Sequence, residues 1–196
     1  MEFIAHRINS VKELKQVPKE FGVELDLRDF GRRLVIAHDP GKGGEDFAKY
    51  LKYYRHGTLI LNIKSERIEY KVSELVKKYK IKKYFFLDSS FPMINALIKA
   101  GEKNIAVRFS EFEVIGTVLA LKGKVKWVWV DCFSRLPINK RNFAQLKKAG
   151  FKLCLVSPEL QGRPKDIKKY KNFLNREKIV FDAICTKLWN VPEWRK

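Results

Sequence analysis

Short apolar runs recur along the whole chain and alternate with helical patterns, and this alternation limits the possible folds more than any other feature. We interpret eight runs as β-strands, at residues 3–5, 23–27, 59–63, 84–87, 105–109, 127–130, 152–156 and 181–185. A ninth run at 34–37 follows the second across a turn-like segment at 29–32, and we interpret it as an accessory strand. Amphipathic stripes lie between the runs; the clearest is Ile68, Val72, Leu75, Val76 and Tyr79.

The apolar character of the runs predicts a parallel sheet. Runs such as Leu59-Ile60-Leu61 are continuous, which is typical of strands that are buried on both faces. Eight β/α units predict an α/β fold, a compact (β/α)8 barrel of the triosephosphate isomerase type, formed by residues 1–196 as a single domain. Eleven residues follow Cys185 and include Pro192, so we expect a reduced or missing last helix. An open doubly wound sheet is the alternative, and it is disfavoured because no glycine-rich phosphate loop follows the first strand.

The charge of the chain predicts an anionic partner. Lys and Arg number 41 against 22 Asp and Glu, a formal net charge of +19. This excess suits a phosphorylated substrate, nucleic acid or an anionic membrane surface equally well. We interpret the densest lysine runs as solvated outer faces; they are Lys77-Lys78 with Lys80, Lys82-Lys83, and Lys168-Lys169 with Lys171. Nucleic acid and membrane are the less favoured partners, because no basic tail or aromatic RNA-binding motif is present.

The cysteines and the apolar segments indicate the cellular setting. Cys132, Cys154 and Cys185 are far apart and lie in apolar runs, so we expect three core residues and neither a disulfide framework nor a structural zinc site. No apolar targeting segment or membrane-spanning stretch is evident. We therefore expect a cytoplasmic protein without an obligate protein partner.

Polar residues that follow the first strands are the candidates for chemistry, because a barrel of this type carries its active site where strands end. They are His6 and Arg7, Glu24 and Asp26, His38 and Asp39, and Asn62 and Lys64. Glu24 and Asp26 are two residues apart on a strand, so their side chains share a face and repel each other unless a cation compensates. A divalent cation such as Mg²⁺ or Ca²⁺ is one solution. Salt bridges to Arg7, Lys64 or Arg28 are the alternative.

Two of the three histidines flank this acid pair in the sequence. His6 and His38 each follow an apolar strand run, whereas His56 lies in a charged segment. Imidazoles in such positions can serve as general base and general acid in phosphoryl transfer. Three later strand-end residues are possible substrate contacts, namely Arg108, Asp131 and Lys187.

In these motifs the sequence resembles the glycerophosphodiester phosphodiesterase family, within the larger group of barrel phosphodiesterases that includes the phosphatidylinositol-specific phospholipases C. The resemblance lies in His6-Arg7, Glu24-x-Asp26, His38-Asp39 and Ile63-Lys64, in that order. It implies a barrel, a divalent cation held by Glu24 and Asp26, and His6 and His38 as the acid/base pair. It also implies that Arg7 and Lys64 contact the phosphate.

Two departures from the family pattern bear on catalysis. The family usually has glycine and then a Pro-Glu-Asn segment after His-Arg, whereas Ile8-Asn9-Ser10 follows here. Asn62 stands where the family usually has a glutamate metal ligand; its carbonyl oxygen can still bind a cation, but less strongly. Glu66 is a substitute ligand if the strand continues that far. We expect metal-dependent hydrolysis of a glycerophosphodiester-like small phosphodiester. The alternative is a noncatalytic barrel that binds phosphorylated sugars, lipids or nucleic acid through its basic surface.

Overall fold

The computed structural model of the chain describes residues 1–195. Their strands are β1 (Glu2–Ala5), β2 (Gly22–Phe30), β3 (Arg33–Ile36), β4 (Glu45–Asp46), β5 (Leu59–Ile63), β6 (Tyr84–Leu87), β7 (Ala106–Phe109), β8 (Trp127–Val130), β9 (Lys152–Val156) and β10 (Ala183–Thr186). Their α-helices are α1 (Val11–Leu14), α2 (Phe47–Tyr53), α3 (Glu69–Lys78), α4 (Phe91–Lys99), α5 (Ile115–Leu119), α6 (Lys140–Lys148), α7 (Asp166–Arg176) and α8 (Val191–Arg195). Short 3-10 helices span Pro158–Gln161 and Leu188–Asn190. The chain divides into two compact units, one formed by Ile4–Glu102 and the other by Met1–Phe3 with the chain from Lys103 onward.

The Ile4–Glu102 unit contains the end of β1 (Ile4 and Ala5) and the strands β2, β5 and β6, which pair in parallel in that order. β2 and β5 are in register from Val23 opposite Leu59 to Leu27 opposite Ile63. The far end of β2 turns back through Gly31, whose φ of +59° suits glycine, into antiparallel β3. β4 then pairs with β3. This small antiparallel addition includes the accessory strand predicted from the sequence.

Burial explains why these segments form strands and helices. All five residues of β5 are buried, as expected for a parallel strand covered on both faces. Helix α3 buries Val72 and Val76, one turn apart, and ends in the basic residues Lys77 and Lys78. The sequence therefore places apolar side chains in the core and leaves polar ones at the strand ends.

The second unit repeats the pattern with parallel β7, β8, β9 and β10 in sequence order. After β10 there follow one 3-10 turn and the five-residue helix α8, which agrees with the expected reduction of the last helix. The three cysteines are buried, as predicted.

The mixed α/β fold and the parallel pairing are thus confirmed, and each predicted strand run has a counterpart within one or two residues of its predicted bounds, except that β2 continues to Phe30. β4 was not predicted. The closed eight-stranded barrel and the single-domain organisation stay predictions. Within residues 1–195 no helix has the length and apolar character needed to cross a bilayer.

Candidate active site

Two buried carboxylates form the centre of the candidate site. Glu24 and Asp26 lie on β2 and are each only 1% exposed. The β2–β5 register sets Asn62 opposite Asp26, and the Asn62 amide donates to Glu24 Oε1 at 2.8 Å and to Asp26 Oδ1 at 3.4 Å. The shared face that the two-residue spacing predicted is therefore present. Asn62 links the two acids.

The loop after β1 supplies further hydrogen bonds to the same pair. The backbone N–H of Arg7 donates to Glu24 Oε2 at 2.7 Å, from a left-handed conformation with φ of 56°. Asn9 donates from Nδ2 to Asp26 Oδ2 at 2.9 Å and accepts at Oδ1 from the Asp26 backbone N–H at 3.0 Å. Sequence reasoning did not assign Asn9 to the site. Its position just beyond a strand end is the signal that could have done so.

Several contacts fix this loop. The Ile8 backbone N–H donates to the Glu24 carbonyl at 2.9 Å, and the Tyr50 hydroxyl donates to the Ile8 carbonyl at 3.0 Å. Ser10 caps helix α1 by accepting from the Glu13 N–H at 3.2 Å. The donors that face the acid pair are therefore held in place by the scaffold.

The two predicted catalytic histidines have different surroundings. His6 Nε2 lies 3.7 Å from Glu24 Oε2, and the His6 side chain is 18% exposed. The His38 side chain is 44% exposed, and its Nδ1 lies 2.8 Å from Asp39 Oδ1. The backbone around His38 is bonded to β2, because the Ala37 N–H donates to the Asp26 carbonyl at 3.0 Å. The imidazole of His6 is thus beside the acids, whereas that of His38 is hydrogen-bonded to Asp39.

The predicted phosphate-binding cations also contact the acid pair. Arg7 Nε lies 3.4 Å from Asp26 Oδ2, and Lys64 Nζ lies 3.8 Å from Asp26 Oδ1. Lys64 Nζ is also 3.3 Å from Asp88 Oδ2, which follows β6. Arg28, considered as a third partner, instead donates to the backbone carbonyls of His38 and Lys64 at 2.9 and 2.7 Å. Asp26 therefore forms the salt bridges with Arg7 and Lys64 that the sequence left as an alternative.

Ionisation of both Glu24 and Asp26 remains unfavourable in spite of these partners. Burial, and secondly the charge of Asp26, raise the pKa of Glu24 from 4.5 to about 7. The hydrogen bonds from Asn62 and from the Arg7 N–H, and the charge of Lys64, oppose this rise. A further positive charge at this position would stabilise the ionised form of Glu24.

The donor set fits a hard divalent cation. Glu24 and Asp26 offer carboxylate oxygens, and Asn62 Oδ1 is buried without a hydrogen-bond partner in the part of the chain that the structure describes. Rotation of the amide exchanges its oxygen and nitrogen, so Asn62 can turn a carbonyl oxygen toward the same position. All three are oxygen ligands of the kind that Mg²⁺ and Ca²⁺ prefer.

Asn62 is neutral, so the carboxylates at this position are those of Glu24 and Asp26. Within residues 1–195 no group of three or more His, Cys, Asp or Glu side chains is arranged to hold a metal. Glu66 does not take over the role, because β5 ends at Ile63 and Glu66 is exposed beyond it. A cation at this position would rely on Glu24 and Asp26 for charge and on Asn62 for a neutral ligand.

The three possible substrate contacts lie in the second unit and already have partners there. Arg108 forms an ion pair with Asp131 and lies 3.9 Å from Glu113. Asp131 also accepts from Gln161 at 2.8 Å. The Lys187 ammonium lies over the ring of Trp189 at 5.9 Å. That they contact the substrate stays a prediction.

Comparison with known proteins adds evidence on the fold. No protein-family model and no curated protein matches the sequence. Among solved structures, glycerophosphodiester phosphodiesterase from Agrobacterium tumefaciens matches with a TM-score of 0.70 and 14% identity, over 94% of this chain and 96% of that one. A glycerophosphoryl diester phosphodiesterase from Parabacteroides distasonis matches with a TM-score of 0.68 and 12% identity, over 98% of this chain and 85% of that one.

This chain has the fold of the glycerophosphodiester phosphodiesterases. The resemblance predicted from His6-Arg7, Glu24-x-Asp26, His38-Asp39 and Lys64 is therefore confirmed at the level of the fold. In the Ile4–Glu102 unit the strands bring His6, Arg7, Asn62 and Lys64 to the acid pair. The His38 imidazole is instead hydrogen-bonded to Asp39.

Proposed function

We propose that the protein is a metal-dependent phosphodiesterase that hydrolyses a small, glycerophosphodiester-like phosphodiester. The observation that carries this proposal is the contact of His6 with the buried acid pair, which Arg7 and Lys64 also border. An imidazole, two carboxylates and two cations in one place can bind a phosphate group and move a proton. The shared fold with glycerophosphodiester phosphodiesterases supports the same reaction class.

In this proposal Glu24, Asp26 and Asn62 hold the divalent cation. Bound there, the cation would neutralise charge on the phosphate and polarise its P–O bonds. Arg7 and Lys64 would contact phosphate oxygens. Each would then interact with both Asp26 and the substrate. The planar guanidinium of Arg7 suits two oxygens at once, whereas the Lys64 ammonium acts as a point charge.

His6 and His38 would exchange protons with the nucleophile and the leaving oxygen. The hydrogen bond with Asp39 supports this role for His38, because a carboxylate only accepts and so the proton of the neutral ring is on Nδ1. Hydrogen bonds from His38 and Lys42 lower the pKa of Asp39 below its ordinary value of 3.8, which favours the carboxylate form. Nε2 of His38 is then the nitrogen that can accept a proton.

The nucleophile is either water or a neighbouring hydroxyl of the substrate. A substrate hydroxyl would produce a cyclic phosphate, whereas water would not. Phosphorus NMR of the products of glycerophosphocholine therefore distinguishes the two routes.

The test uses His6→Ala and His38→Ala in a phosphodiesterase assay with Mg²⁺ or Ca²⁺, with His56→Ala as a control of the same residue type. We expect each of the first two to lose about 10²–10⁴-fold in kcat, the usual contribution of a general acid or base. His56 is hydrogen-bonded to the Val17 carbonyl at 3.0 Å, away from the acid pair, so its variant should keep its turnover. Turnover in both His6→Ala and His38→Ala at the wild-type rate would reject the acid/base assignment.

A noncatalytic phosphate-binding function is the second candidate, and Asn62 is the observation that favours it. Its amide links the two carboxylates without a cation. Calorimetric titration with Ca²⁺ separates the candidates. A protein that binds a phosphodiester but neither binds the cation nor turns over substrate would be a binding module.

A further inference from the structure

A basic pocket lies in the Ile4–Glu102 unit, away from the acid pair. It has a volume of about 680 Å³ and is lined by residues within 51–57 and by residues 79–83. These segments directly precede β5 and β6, so the pocket lies where these strands begin. Asn62 is three residues into β5 from Leu59, or about 10 Å along a strand that rises roughly 3.3 Å per residue. The pocket is therefore separate from the candidate active site.

The lining carries a concentrated positive charge without acidic residues. Its five cationic side chains are Lys52, Arg55, Lys80, Lys82 and Lys83. No ion pair within residues 1–195 involves any of them, in contrast to Lys64 and Lys147, which each have an acidic partner. The sequence predicted solvated outer faces for Lys80, Lys82 and Lys83, and all three are exposed. The structure in addition places them around one concave surface.

The backbone under these side chains is fixed. Lys80 has a left-handed φ of 56° and lies two residues after the end of helix α3. The Ile81 N–H donates to the Val76 carbonyl at 3.0 Å, and the Leu59 N–H donates to the Lys83 carbonyl at 2.9 Å. On the opposite wall, the Gly57 N–H donates to the Phe21 carbonyl at 2.8 Å. The backbone that carries these side chains is thus fixed before any ligand arrives, so that binding an anion does not require the chain itself to become ordered.

We propose that this pocket binds a small ligand that carries a chain of several phosphate groups. A single phosphate carries at most two negative charges at neutral pH, too few to compensate five cations, whereas a triphosphate carries about four. The volume is in the range of roughly 300–1,000 Å³ that holds small molecules. Tyr54 and Tyr79 also line the pocket. A nucleoside triphosphate and a free polyphosphate both carry the phosphate chain that the five cations require.

The test is calorimetric titration of the full chain with tripolyphosphate, ATP and adenosine at about 0.15 M salt, where weak surface attraction is screened. The double variant Lys82→Glu/Lys83→Glu reverses two of the positive charges that line the pocket. Lys77→Glu/Lys78→Glu is the matched control, because it makes the same charge change on exposed lysines of α3 that do not line the pocket. We expect the pocket variant to lose affinity for tripolyphosphate about ten-fold or more, and the control to lose less than about two-fold.

A second variant tests the opposite wall. Lys52→Glu/Arg55→Glu should show the same loss as the Lys82 and Lys83 variant, with circular dichroism confirming that both fold. Tighter binding of ATP than of tripolyphosphate would identify a nucleotide as the ligand type, and equal binding would identify the phosphate chain alone.

Three results would overturn the proposal. These are no binding of tripolyphosphate or ATP by the wild type, equal losses in the pocket variants and the Lys77 and Lys78 control, or binding of single-stranded RNA that tripolyphosphate does not displace. Tripolyphosphate binding and phosphodiester turnover are measured separately on the wild type, so failure of the proposed phosphodiesterase function would be distinguishable from failure of this site.

Discussion

Replacing Glu24 with glutamine should stabilise the cation-free protein, and the gain should grow with pH. Folding raises the pKa of Glu24 from 4.5 to about 7, so the folded state binds this proton more tightly than the unfolded state does. The resulting loss of folding stability, caused by burying the ionised carboxylate, is absent below pH 4.5, develops between pH 4.5 and 7, and is complete above pH 7. At roughly 1.4 kcal/mol per pH unit, it amounts to about 3 kcal/mol.

The structure indicates that a neutral amide fits this position. The amide oxygen of the new glutamine can accept from the Arg7 N–H. Asn62 Oδ1 is buried without a partner among the described residues, and once the Asn62 amide turns, the glutamine nitrogen can donate to it. For a domain of this size, 1 kcal/mol corresponds to about 2–4 °C in Tm. We therefore expect Glu24→Gln to unfold about 6–12 °C above the wild type at pH 8.5.

The assay is thermal unfolding by calorimetry from pH 5 to 8.5 in EDTA, with Glu66→Gln as control because Glu66 is exposed in the same unit. The difference between wild type and Glu24→Gln should narrow toward pH 5, and Glu66→Gln should follow the wild type throughout. Excess Ca²⁺ should raise the Tm of the wild type more than that of Glu24→Gln. A difference that is constant with pH, or a less stable variant at pH 8.5, would refute the view that Glu24 is an uncompensated buried charge.

Three further predictions concern the site and the core. Asn62→Glu adds a third carboxylate, so the Kd for Ca²⁺ in calorimetric titration should fall about ten-fold or more; an unchanged Kd would argue against a cation at this position. Asn9→Ala removes the partners of the Asp26 N–H and Oδ2, so chemical denaturation should show a loss of about 1–3 kcal/mol in unfolding free energy, whereas the exposed Asn175→Ala should change little. The three cysteines should react with a thiol reagent only after unfolding, because all are buried and burial raises the pKa of Cys132 to about 12. Rapid labelling of the native protein would contradict the buried placement.

The strands were largely predictable from the sequence, because continuous apolar runs bounded by polar residues have few other stable arrangements. Leu59–Ile63 is an example, since all its residues are buried in the predicted strand. The exception is β4, whose two residues Glu45 and Asp46 have no apolar pattern and pair with β3 in antiparallel register. The shared face of Glu24 and Asp26 followed from the two-residue period of a strand.

Contacts between distant segments required the tertiary structure, because spacing along a chain determines the face on which a side chain lies but not the distance to another segment. The β2–β5 register brings Asn62 to both acids, and the loop after β1 brings Asn9 to Asp26. Both contacts depend on how strands align. The same reason explains why Lys80, Lys82 and Lys83 could be assigned to a surface from the sequence, whereas only folding revealed that they surround a pocket together with Lys52 and Arg55.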